Sequence, residues 1–393
     1  MPTERRTGLN QASPGWLCGA LVASLFGGPT EAALKLDTHL STEAEYDSNV
    51  FRVSEATARQ TLGTGRRADE ILDSQAGAGV EYKVDQQRLY ASGDVDRVLY
   101  RRLSNLDHNE FQWLGGMDWK LGSALDGNAE YKTGRHMVAE ENRATPSTTL
   151  DFETDHTARG SVNLMVAPQW RVESRVDWAE QDSPSPDARF HLDETKYTLG
   201  GKYLGFGAIN TGLQAQYLTG DFTDAIQSGP YRQINLDYTL DYKNGSLSQL
   251  SLLLGGSRRR GRDGKAESFE GFTGELHYKR FISGKTTMGV DLFRRVQSYA
   301  VLADYVAETG GDVSMNWQAT PKIFVNLLAS YIDDSFKLSS REDQLALAEL
   351  GLNYQPLPWL SIKPAVQYEN RQSNQALYSF VDTVVSLKAK VQF

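Results

Sequence analysis

The chain has 393 residues, 40% of them apolar and 23% charged, with a formal net charge of −9 and a mean hydropathy of −0.47. That is too polar for a bundle of membrane-spanning helices, and beyond the first thirty residues no apolar run approaches the ~20 residues such a helix needs. With a pI of about 5.3 there is no dominant basic surface to meet phosphates, which argues against nucleic acid as a partner.

The N-terminus reads as a removable secretion signal. Arg5 and Arg6 supply the charged start, Trp16 to Phe26 is an apolar stretch too short to cross a bilayer, and Thr30 and Ala32 offer small residues before a cleavage site after Ala32. The expected organisation is therefore a signal peptide over 1–32 and one transmembrane β-barrel over 33–393. Cys18, the single cysteine, falls inside the signal, so the mature chain needs no disulfide and has no thiolate for a metal. Bulky Trp16 and Leu17 in front of Cys18 argue against lipoprotein acylation. Nothing points to a cofactor.

After the signal, polar turns recur at roughly 36 to 46 residue intervals: Val84–Gln87, Leu121–Ser123, Ala167–Gln169, Gly205–Gly207, Lys243–Ser246, Ser283–Lys285, Thr320–Lys322 and Pro356–Pro358. Between them lie longer, more charged connections, among them Ser48–Ala68, Val138–Thr149, Ser183–Arg189, Asp221–Gly229, Gly261–Ala266 and Leu338–Glu342. Eight short turns and nine longer connections make eighteen antiparallel strands, with both chain ends on the short-turn side. Short turns on one side and long loops on the other are the periplasmic and extracellular ends of an outer-membrane barrel.

The strands alternate with period two. Trp170, Val172, Val176 and Trp178 oppose Arg171, Glu173, Arg175 and Asp177; Ile234, Leu236, Tyr238, Leu240 and Tyr242 oppose Asn235, Asp237, Thr239, Asp241 and Lys243; and Leu360, Ile362, Val366 and Tyr368 oppose Ser361, Lys363, Gln367 and Glu369. Aromatic residues gather near strand ends, as at Phe111, Trp113, Trp119, Tyr197, Tyr203, Trp317, Trp359 and Tyr378, where amphipathic rings would meet lipid headgroups. In the last segment Val385, Leu387, Ala389, Val391 and Phe393 share one face, and Ser386, Lys388, Lys390 and Gln392 the other. A terminal aromatic after such alternation resembles the signal read by the barrel-assembly machinery, an expected partner together with outer-membrane lipid and lipopolysaccharide.

A barrel of this size encloses water, and its inward faces are expected to be almost wholly polar. Candidate pore-lining residues are Arg171, Glu173, Arg175, Asp177, Asp237, Asp241, Glu275, Lys279, Lys363, Glu369, Lys388 and Lys390. The same charges have a simpler use, pairing across strands to brace the wall. Arg101, Arg102, Arg258, Arg259, Arg260 and Arg262 form a candidate basic cluster at the outer mouth. They suit an anionic polymer, lipopolysaccharide phosphates, or pairing with neighbouring acids such as Glu267 and Glu270.

The segment Tyr46-Asp47-Ser48-Asn49-Val50-Phe51-Arg52 resembles the opening motif of the EpsL-type exopolysaccharide biosynthesis proteins, outer-membrane barrels within a larger porin group. Asp69 to Lys83, Arg88 to Arg102 and Trp119-Lys120-Leu121-Gly122 extend the likeness. The resemblance implies export of a secreted polysaccharide through the barrel and a separate periplasmic export partner. It carries over no catalytic residue.

Two other classes compete. An enzyme would need a nucleophile motif beside one of the six His residues, and no G-x-S-x-G or metal-ligand spacing is present. A general or small-solute porin is the nearer rival, since such channels narrow their lumen with an infolded loop. The long connection Ser48–Ala68 is open to use as a plug, a lid or a docking segment.

Overall fold

The computed structural model describes residues 33–63, 65–138, 143, 146–184, 189–223, 229–245, 247–261, 268–299 and 304–393. The proposed signal peptide and Arg262 lie outside the described residues, as do parts of several long connections. Eighteen strands form one sheet. The first nine are β1 (Ala33–Asp47), β2 (Asp69–Val84), β3 (Gln87–Tyr100), β4 (His108–Leu121), β5 (Leu125–Met137), β6 (Phe152–Ala167), β7 (Trp170–Ser183), β8 (Phe190–Phe206) and β9 (Ile209–Thr223). The rest are β10 (Gly229–Asn244), β11 (Ser248–Gly261), β12 (Phe269–Ser283), β13 (Thr286–Tyr299), β14 (Asp304–Thr320), β15 (Ile323–Phe336), β16 (Glu342–Leu357), β17 (Leu360–Ser373) and β18 (Phe380–Gln392). Among the described residues one short α-helix, α1 (Glu55–Thr61), lies in the β1–β2 connection.

Each strand pairs antiparallel with its sequence neighbours, and β18 pairs with β1 from His39↔Gln392 to Asp47↔Val384. That seam closes the barrel and leaves no edge strand, as a sheet in lipid requires. The turns fall where their spacing predicts, and the tightest need left-handed backbone: Gly122 has φ +62° and Asp85 φ +53°.

Side-chain convergence identifies the concave face. His39 Nε2 on β1 meets Asp94 Oδ1 on β3 at 3.1 Å, reaching across β2. Tyr90 on β3 donates to Glu130 on β5 at 2.9 Å. In both cases the intervening strand carries a glycine, Gly77 or Gly116, whose Cβ would collide with the converging side chains. Register carries this face around the barrel with period two. The opposite face carries the exposed apolar residues, for example Leu36, Leu213, Leu236, Phe272 and Leu387. This is the lipid belt, and Trp113, Tyr197, Trp317 and Trp359 stand on it as expected. Tyr378 does not: it sits under Arg341, whose guanidinium carbon lies 3.6 Å from the ring centroid.

Toward the short-turn end the inner wall is mostly polar. Toward the long loops it turns apolar, in three buried clusters. One is built on Ile71, Val98 and Tyr100, a second on Phe190, Leu192, Phe222 and Tyr231, and a third on Phe269, Tyr305 and Ala307. The expectation of almost wholly polar inward faces is corrected here. Apolar side chains stand on the concave wall where chain folds back into the mouth to cover them.

Candidate functional site: the infolded mouth

The β1–β2 connection turns inward at the motif that opens it. Asp47 Oδ1 accepts from the Asn49 backbone N–H at 2.6 Å, and Asn49 Nδ2 donates to the carbonyls of Val53 and Val381, both at 2.9 Å. Ser48 Oγ donates to Asp382 Oδ1 at 2.8 Å. Arg52 adopts φ +51°, a region costly for a side chain with a Cβ. Its guanidinium is held by Asp47 and Asp382, each at 2.9 Å. Thus Asp47, Ser48, Asn49 and Arg52 together pin the loop to β18.

Downstream of the pin, Val50, Phe51, Val53 and Ala58 are fully buried against Ile71, Val98, Tyr100 and Leu106. Ser54 caps α1, accepting from the Thr57 N–H at 3.1 Å. The return path is fixed by Val50 N–H to Arg67 O and by Arg67 Nη1 to Val53 O, both 2.8 Å. Ser48–Ala68 is therefore an insert packed on the inner wall.

A second insert comes from the β13–β14 hairpin. Pairing of β12 with β13 stops at Gly274↔Arg294, although β12 runs back to Phe269 and β13 on to Tyr299. Beyond that point β13 stays with β14, and β14 with β15 as far as Val306↔Phe336. The consecutive residues Tyr305, Val306 and Ala307 are all 3–4% exposed, so both faces of the hairpin are covered. One face reaches the β8–β11 wall: Ser298 Oγ lies 2.9 Å from Arg259 Nη1 and 2.9 Å from Tyr231 Oη, and Glu194 bonds both hydroxyls. Arg259 is stacked between the rings of Tyr231 (3.8 Å) and Tyr305 (4.8 Å). On the other face Tyr299 packs edge-on against Phe336.

Beside Arg52 of the opening motif, the mouth holds buried arginines that no sequence motif marks. Arg341, in the β15–β16 connection, is 1% exposed and bonds Asp343 through Nε at 3.0 and 2.9 Å. Burial opposes its charge, but the Asp343 carboxylate outweighs it and holds the guanidinium pKa above its usual value. Arg143 pairs with Asp151. Arg52, Arg143 and Arg371 line one cleft with Tyr378 and Leu377. These residues are scattered from 52 to 378, and only closure of the barrel collects them.

The pore-lining candidates all fall on the concave face, and most are paired. Arg171 lies 3.0 Å from Asp126 and 3.4 Å from Glu173. Asp177 receives Arg159 at 2.7 Å, Arg175 at 3.1 Å and Lys196 at 3.6 Å. Lys202 bridges Asp241 (3.0 Å) and Glu173 (3.5 Å). Lys388 donates to Glu43 at 3.1 Å. Asp237 is 4% exposed beside Gln214, Glu275 lies 3.6 Å from His277 Nε2, and Lys279 sits over the Phe281 ring. Lys363 faces Lys388 in register, Glu369 faces Asp382, and Lys390 faces Ser361.

The basic candidates do not form one cluster. Arg101 points outward and pairs with Glu70 at 2.6 Å. Arg102 is exposed, its N–H held by Asp69. Arg258 and Arg260 also point outward, but Arg259 between them points inward and is 3% exposed. Period two splits any run of three along a strand in this way. His136 brings Nε2 to Glu153 at 2.6 Å and to Asp155 at 3.4 Å, so one imidazole and two carboxylates from two adjacent strands converge with no signature in sequence spacing.

The family model described as "Putative beta-barrel porin 2" matches residues 253–393. No curated protein sequence matches the chain. Among solved structures, the outer membrane protein OpdK of Pseudomonas aeruginosa is similar at 12% identity and a TM-score of 0.50, over 91% of this chain and 99% of that one. OccK2 (OpdF) of the same organism gives 13% identity and 0.51, over 92% and 97%. The FrpB iron transporter of Neisseria meningitidis gives 11% and 0.51, over 91% and 81%. At such identities the likeness is one of fold. The described residues form a closed eighteen-stranded antiparallel barrel, the fold of these outer membrane proteins.

Proposed function

We propose that this barrel is a diffusion channel for small solutes, narrowed at its extracellular mouth by the pinned β1–β2 loop. The observation that carries this reading is the insert itself: Phe51 is 1% exposed and Asn49 0%, so the loop is part of the wall. A narrowed, charge-lined mouth suits small polar solutes, which need many weak contacts and no tight one. Two of the similar structures are described with small organic acids, OpdK with vanillate and OccK2 with glucuronate. Arg52, Arg143 and Arg371 line a narrow cleft at that mouth.

Export of an exopolysaccharide is the second reading, and the opening motif is what favours it. Here Asp47, Asn49, Phe51 and Arg52 are occupied in holding the loop, which leaves that motif without a polymer contact. Single-channel conductance of the refolded barrel separates the two. Replacing Val50–Leu62 by a short Gly-Ser linker is expected to raise conductance at least about twofold, and Asn49→Ala to add slow flicker between narrow and wide levels. Conductance unmoved by the deletion would overturn the constriction. Transient block by the organism's own polysaccharide, and not by unrelated glycans, would restore the export reading.

A further inference from the structure

The convex face carries a set of arginines that conduction does not use. On three strands the exposed apolar belt ends and the next sizeable outward side chain toward the long loops is arginine. Arg232 follows Ile234 on β10, Arg258 follows Leu254 across Gly256 on β11, and Arg294 follows Leu292 on β13; β11 adds Arg260. On β12 the equivalent place beyond Phe272 is Glu270, which takes Arg258 at 3.1 Å. Arg294 donates to Thr309 Oγ1 at 2.7 Å. Arg232 and Arg260 stand directly opposite one another in register, and no carboxylate among the described residues forms an ion pair with either.

Like charges directly opposed across a ladder are destabilising, unless an anion bridges them. A lipid phosphate can supply that anion on this face, because the side chains stand where the apolar belt ends. Guanidinium groups match phosphate oxygens bidentately, and the exposed Ile234, Leu236 and Phe272 just below offer a surface for acyl chains. We propose that Arg232, Arg258 and Arg260 form a binding site for the phosphates of lipopolysaccharide in the outer leaflet.

The test titrates the folded, detergent-solubilised barrel with bisphosphorylated lipid A, with dephosphorylated lipid A and with inorganic phosphate, followed by native mass spectrometry. Phosphorylated lipid A is expected to bind well above the dephosphorylated form. The double variant R232Q/R260Q should lose about tenfold in affinity, the scale of one to two charge-assisted hydrogen bonds. R101Q, on the far side of the barrel and already paired with Glu70, should leave it unchanged. Equal binding of the dephosphorylated lipid, or no loss in the double variant, would overturn the site. Inorganic phosphate competing at equal affinity would reassign it to free phosphate and equally overturn the lipid. Should the double variant fail to fold, seen as lost heat-modifiable migration, the comparison of the two lipids on the native barrel decides alone.

Discussion

The two ends of this barrel share one wall and are filled by opposite rules. Toward the short turns, inward side chains are half-exposed and charged, and neighbours neutralise one another across strands, as Arg171 does with Asp126 and Lys202 with Asp241. Toward the long loops, inward side chains are apolar or fully buried, and covered by the β1–β2 insert and the β13–β14 hairpin. A charge costs little where water reaches it and several kcal/mol where it does not. Hence acids and bases at the wet end are spread along the wall, while those at the packed end are arranged as tight, stacked units such as Arg341 with Asp343, Tyr378 and Phe336.

The sharpest way to break this contrast is Arg341→Ala. It strands Asp343, 2% exposed, and is expected to cost about 3–5 kcal/mol as a buried pair losing one partner. Urea unfolding of the bilayer-reconstituted barrel, followed by tryptophan fluorescence, measures it. The double replacement R341M/D343M should recover most of the loss, since no charge is then left buried. A cost below about 1 kcal/mol, the range of exposed pairs, would mean that water fills the mouth as it fills the other end.

A smaller effect is expected at the hairpin. Tyr231→Phe removes the hydroxyl that meets Ser298 and Glu194 and keeps the ring under Arg259. The loss should be about 1 kcal/mol, that of one hydrogen bond. It should be local, read as faster amide exchange over 295–299 and 305–308 with the exchange of β8–β11 unchanged. Uniform loss of protection across the barrel would instead make the hairpin tip part of the wall's own stability.

The wet end was legible in the sequence and the packed end was not. Turn spacing and period-two alternation are local, so strand number, the direction of Asp237 or Lys388 and the lipid face of Leu236 or Leu387 follow from neighbours in the chain. The insert depends on Asn49 reaching Val381 and Arg52 reaching Asp382, pairs more than three hundred residues apart that meet only at the β1–β18 seam. One sign was present all the same. Ile71, Val98, Phe222 and Phe269 occupy inward positions where a water-filled wall has polar residues, and an apolar residue on a lumen face asks for something to cover it. The triplet Arg258–Arg260 misled for the opposite reason: as a run of sequence it looks like a patch, but a strand sends its middle member to the other side.

The smallest expected change in stability comes at the wet end, and there it tests function most directly. Lys202 on β8 lies between Glu173 and Asp241, with a quarter of its side chain exposed. Lys202→Gln removes interactions worth about 0–1 kcal/mol, so the unfolding midpoint should hardly move. Electrostatically the change is larger, because two carboxylates now face the lumen without their shared cation. The reversal potential under a salt gradient should shift toward cation preference, most at low ionic strength, where screening is weakest. Asp241→Asn should shift it the other way, leaving Lys202 with Glu173 alone. Opposite shifts of the two variants would place the conducting path along the β7–β10 wall. If neither moves the potential while the Val50–Leu62 deletion still raises conductance, selectivity is set in the mouth, and the wall charges serve only to brace one strand against the next.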